Sequence, residues 1–95
     1  MTLEITTWDA GDHINDPEYY LKDALELASE TGDYRIFNQA LADVSKAQKM
    51  THIAERSGLG RTSLYKALNP ESHPQFETIS KVVKALGFKL AIVPA

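Results

Sequence analysis

Arg61-Thr62-Ser63 and Tyr65-Lys66 place five hydrogen-bonding side chains close together with no acid among them. A guanidinium bonds two guanine acceptors at once, an ammonium finds phosphate, and hydroxyls and phenols bond either. Thr51 and His52, upstream, add two more such groups. Between Lys46 and Lys66 five bases (Lys46, Lys49, Arg56, Arg61 and Lys66) stand against Glu55 alone, a local +4 in a chain whose net charge is -3. The chemistry this spacing suits is contact with a polyanion, with DNA foremost.

Other chemistries fit less well. The absence of cysteine removes disulfides and thiolate-bound zinc, and His13, His52 and His73 are too scattered to read as a metal site. Asp12 and Asp16 form a carboxylate pair, but no nucleophile-base pair or Gly-rich phosphate loop accompanies them. The expectation is therefore no enzyme, no cofactor and no metal. The N-terminus carries Glu4 and Asp9 where a secretory leader needs positive charge, and no long apolar run exists, so a cytoplasmic protein without a membrane partner is expected.

The charge is divided along the chain. Residues 1 to 45 hold ten acids against Lys22 and Arg35, a net -8, whereas residues 46 to 95 hold eight bases against Glu55, Glu71 and Glu77, a net +5. Two solvated helix faces would give such a division by chance. It also suits an acidic half that meets a basic protein and a basic half that meets nucleic acid.

The elements that must position these residues follow from periodicity and punctuation. Residues 1 to 15 are an N-terminal arm, with Leu3-Glu4-Ile5 alternating as a short strand would. Trp8 reads there as an anchor on the chain's own helices or as a hot spot for a partner. Asp16-Pro17-Glu18 opens a helix: the carboxylate accepts free N–H groups, proline suits the first position and acid favours the positive end. Leu21, Ala24, Leu25 and Ala28 give it one apolar face, on which Tyr19, Tyr20 and, beyond its end, Tyr34 are expected half-buried. Gly32 ends it, and Asp33 is expected to cap a second helix running to about Lys49 with Phe37, Ala40, Leu41 and Val44 inward.

Residues 50 to 68 then read as a helical hairpin. Thr51 is the expected cap of a short helix carrying Ile53, Ala54 and Ser57, and Gly58 its stop. A second short helix begins near Arg61 with Leu64 and Leu68 inward and ends by Asn69-Pro70. Ala54, Gly58, Ile53, Leu59, Leu64 and Ala67 supply the small contact, the turn and the apolar joint of a helix-turn-helix. A hairpin that only packs a core needs the same residues, and the outward, acid-free face is what separates the two. Phe76, Ile79, Val82, Val83 and Leu86 mark a last helix over 75 to 86, closed by Gly87. Phe88, Leu90 and Ile92 then alternate as a strand over 88 to 93 that must find an edge. The expectation is a mainly α, single-domain, five-helix protein with a C-terminal β-strand.

Residues 45 to 87, "SKAQKMTHIAERSGLGRTSLYKALNPESHPQFETISKVVKALG", resemble the helix-turn-helix domain of phage-repressor-like regulators. With "WDA", "DPE", "ALADVSKAQKMTHIAERSGLGRTSLYKALNPE" and "FETISKVVKALGFKLAIVPA", the chain is similar to the addiction-module antidote proteins, the HigA-type antitoxins of bacterial toxin-antitoxin pairs. That resemblance implies a bacterial antitoxin that neutralises a RelE/ParE-like toxin, an mRNA endonuclease, and binds its own operator as a homodimer. It implies Thr51 and His52 at a phosphate, and Arg61, Thr62, Ser63, Tyr65 and Lys66 in or beside the major groove. His52 stands where related repressors commonly carry glutamine, and Gly60 where serine usually caps the recognition helix. A stand-alone repressor is the alternative, although it has little use for so acidic a front half. The edge for residues 88 to 93 is either the Leu3-Ile5 fragment of the same chain or the same tail of a second copy; the second is favoured, as an antiparallel pair about a two-fold axis with Phe88, Leu90 and Ile92 facing the helices.

Overall fold

A computed structural model describes residues 15–95, and the expected arm, including Trp8 and the Leu3-Ile5 fragment, lies outside the described residues but for Asn15. Five helices follow: α1 (Pro17–Thr31), α2 (Arg35–Ala47), α3 (Met50–Ser57), α4 (Arg61–Ala67) and α5 (Phe76–Ala85). The fold is all-α, with no strand among the described residues.

Helix α1 starts as its sequence dictates, with an Asp16 carboxylate oxygen accepting the Tyr19 N–H at 3.1 Å and Pro17 in the first turn. Its two deeply buried residues are Leu21 and Ala28, while Ala24 and Leu25 pack at the margin. Tyr20 Oη donates to Asp43 Oδ2 at 2.7 Å, so the start of α1 meets the end of α2 and the two helices run antiparallel. Burial, with that hydrogen bond and the carboxylate's charge, pushes the Tyr20 phenol up to about 12 from its ordinary 10.0. The stabilisation is therefore complete below pH 10.0 and is lost as pH rises through about 12. Tyr19 and Tyr34, expected to be half-buried, are instead 67% and 56% exposed, because each falls off the stripe that Leu21 and Phe37 define.

Helix α2 is the centre of the molecule. Phe37, Ala40, Leu41, Ala42 and Val44 are buried along it, and it packs against both α1 and α3. Asp33 acts one residue before the formal cap, accepting the Arg35 N–H at 3.2 Å. The helix ends at Ala47, short of the expected Lys49.

Helix α5 packs on α3 and buries Val82, Val83 and Ala85, with Leu86 buried just beyond its end. It closes as a Schellman motif: Gly87 adopts φ 100°, Phe88 N–H bonds the Val83 carbonyl at 3.1 Å and Gly87 N–H bonds that of Lys84 at 3.0 Å. Two remaining carbonyls are met from elsewhere in the fold, Ala85 by Arg56 Nη1 of α3 at 3.3 Å and Leu86 by Gln48 Nε2, just after α2, at 3.4 Å. Phe76, expected on the inward face, is 74% exposed, since it opens the first turn and the core begins only near the half-buried Ile79.

The strand expected over 88 to 93 is not formed among the described residues. Phe88 and Leu90 pack against the core as the alternation requires, but Ile92 is fully exposed and Val93 is 76% exposed. A strand exists only against a partner edge, and none is offered among the described residues.

Candidate functional site

The site is built on the α3–α4 pair, and its first feature is the joint that aims it. Lys49, between α2 and α3, has φ 80° and ψ 113°, a left-handed conformation otherwise found only at glycines among the described residues. Its carbonyl accepts the N–H groups of His52 at 3.0 Å and Ile53 at 3.3 Å, which opens α3 immediately after a sharp change of direction. Thr51 is thus already inside the helix, and the expected hydroxyl cap is replaced by a backbone bend. Such a conformation costs a non-glycine residue on the order of 1–3 kcal/mol. Lys49→Gly is expected to stabilise the fold by about 1 kcal/mol, after allowance for glycine's extra unfolded-state entropy, read as a raised denaturation midpoint.

The turn between α3 and α4 is held from within. Gly58 takes φ 76°, and the buried Ser57 hydroxyl both donates to the Ala54 carbonyl and accepts the Leu59 N–H, each at 3.2 Å. Leu59 packs against the core, and Gly60 is extended (φ -67°, ψ 163°) with its carbonyl accepting the Leu64 N–H at 2.9 Å. Gly60 therefore starts α4 with no side-chain cap.

Helix α4 buries Leu64 and, just beyond its end, Leu68, and turns Arg61, Thr62, Ser63, Tyr65 and Lys66 to the surface. Thr51 and His52 are exposed on α3. All seven sequence-predicted site residues are thus accessible. Ser63 and Lys66 also line a shallow depression of about 360 Å³ with Leu59, His73 and Thr78. The C-terminal end of α4 is held by Ser72, whose hydroxyl bonds the carbonyls of Ala67 at 3.1 Å and Asn69 at 2.8 Å. Neither Ser72 nor the nearness of His73 was legible in the sequence, since an irregular loop has no period.

The five bases of this region do not act alike. Arg56 anchors the end of α5, as described above, and so serves the fold. Among the described residues no ion pair engages Lys46, Lys49, Arg61 or Lys66, and their positive charge remains available to a ligand. The arrangement supplies donors and positive charge on a short exposed helix, together with no clustered metal ligands among the described residues. No described helix is long and apolar enough to cross a membrane.

These features define an all-α protein with a basic, outward-facing helical pair behind an acidic helical hairpin. A family profile described as "Probable addiction module antidote protein" matches residues 4–94, and the chain belongs to that family. A protein of Haemophilus influenzae described as an uncharacterized protein is 32% identical over 95 residues, spanning 97% of this chain and 94% of the relative. No solved structure matches. The family is one of antidotes, not enzymes, and an antidote implies a toxin as its partner.

Proposed function

We propose that the protein is a HigA-type antitoxin that binds a RelE/ParE-like toxin directly and represses its own operon from the operator. The observation that carries the DNA half is α4, which buries Leu64 while exposing Arg61, Thr62, Ser63, Tyr65 and Lys66 with no acid among them. A helix so divided is anchored on one side and chemically suited to base edges and phosphates on the other. In this reading residues 50 to 68 form a helix-turn-helix, α4 enters the major groove, and Thr51 and His52 at the start of α3 meet the phosphate backbone.

The acidic part, residues 16 to 49, serves the toxin through complementary potential, which speeds encounter. Membership of an antidote family favours this over a regulator without a protein partner. A homodimer supplies the two half-sites of a palindromic operator. Its contact is residues 88 to 93, where pairing with a second copy provides an edge that none of the described residues offers, and Ile92 and Val93 stand exposed for it. All of this takes place in the cytosol, where operator and mRNA are found.

Co-purification of the full chain with the product of a small basic gene beside its own, followed by an RNase assay, tests the reading. Capture with loss of RNase activity is expected. A neighbouring product that is neither bound nor inhibited would overturn the toxin half.

A further inference from the structure

One surface of the antidote combines an open apolar floor with a carboxylate rim. Between α1 and α2, and bordered by the loop after α4, lies a groove of about 510 Å³. Ala24 and Leu27 from α1 and Ile36 and Ala40 from α2 provide its apolar surface. Leu27 is 45% exposed beside this concavity, although a scattered exposed leucine alone would mean nothing. What distinguishes the place is the rim, to which Asp23, Asp33, Asp43 and Glu71 contribute carboxylates and Arg35 alone a base.

Arg35 offsets only part of that rim. Its guanidinium bonds both oxygens of Asp33, at 2.9 and 3.0 Å, and approaches Glu71 at 3.6 Å. The same guanidinium holds the Asp33 carboxyl below its ordinary 3.8, so this acid is ionised at neutral pH. Asp43 is oriented by two donors, Tyr20 Oη at 2.7 Å and Gln39 Nε2 at 3.0 Å, one to each oxygen. Each oxygen keeps an acceptor site for an incoming cation. The groove is therefore preorganised, with net negative charge around an apolar centre, and an apolar partner side chain flanked by lysine or arginine matches it.

We propose that this α1–α2 groove is where the toxin docks, receiving an apolar side chain of a basic toxin segment while Asp23, Asp43 and Glu71 meet the flanking cations. The proposal rests on the antidote reading and adds the location and the chemistry of the contact. It also assigns Glu71, which follows the basic helix in sequence, to the toxin side and not to DNA.

Two substitutions at exposed positions test it in the full chain: Leu27→Arg, which places a cation in the apolar centre, and Asp23→Lys, which reverses one rim charge. Affinity for the purified product of the adjacent toxin gene is measured by calorimetry, with helical content by circular dichroism as the control for folding. Leu27→Arg is expected to weaken toxin binding at least 100-fold. Asp23→Lys is expected to weaken it about tenfold, chiefly through slower association at low salt. Wild-type affinity in both variants, with the wild-type chain binding tightly, would overturn the groove and leave the antidote reading standing. No binding by the wild-type chain would overturn both. Loss of self-association in sedimentation, with toxin affinity intact, would assign the groove to a second copy and overturn the proposal.

Discussion

Replacement of Arg61 and Lys66 by alanine together is expected to remove most specific operator binding while leaving the fold intact. Both side chains are exposed on α4 and neither forms an ion pair among the described residues, so the substitution removes no internal contact of that kind. The two residues act differently. If Arg61 bonds a guanine in the major groove, Arg61→Ala costs about 1–3 kcal/mol at the operator and relaxes the preference at that base pair. If Lys66 meets a phosphate, Lys66→Ala weakens all sequences alike and reduces the slope of affinity against salt by about 1. Gel shifts with operator and unrelated duplexes across a salt series separate the two effects. Unchanged binding by the double variant would remove α4 from the groove.

Leu64→Ala is expected to destabilise the protein by about 2–5 kcal/mol, a large share of the stability of so small a domain. Leu64 is fully buried at the middle of a helix of seven residues. A helix so short has little stability of its own and holds its place by the side chains it buries. Leu68 and the half-buried Ala67 are its remaining apolar anchors, while Gly60 caps it without a side chain. Urea unfolding measures the loss, and a midpoint near the wild-type value would mean that α4 is held by something other than this core contact.

The helices were legible where their signals are local. Asp16-Pro17 opens α1 through a carboxylate at hydrogen-bonding distance from the first turn, and Gly58 and Gly87 close α3 and α5 in the left-handed conformation that glycine tolerates. The repeat of Phe37, Ala40, Leu41 and Val44 identified the buried face of α2 because a helix returns to the same side at that spacing. The seven polar residues assigned to a binding surface are exposed for the same reason, being the complement of Ile53, Leu64 and Leu68.

What escaped the sequence depends on distant neighbours or on an improbable local choice. Nothing in a lysine announces φ 80°, and a threonine two residues later is the more ordinary helix start. Arg56 looked like one more cation for a polyanion, yet it reaches the carbonyl of Ala85, 29 residues away, because the end of α5 arrives beside α3. The tail alternates as a strand should, but pairing is a property of two segments, and the described chain supplies one. The groove likewise arises from the antiparallel meeting of α1 and α2 with the loop after α4, and no single stretch encodes it.

On the proposed function, an antidote with an acidic hairpin also reads its own operator through α4. A footprint of the purified full-length chain on the DNA upstream of its gene tests this most directly. The account predicts two protected half-sites about 34 Å apart, or a multiple of that distance, bound far more tightly than unrelated DNA of equal length. Protection no different from that on unrelated DNA would contradict it.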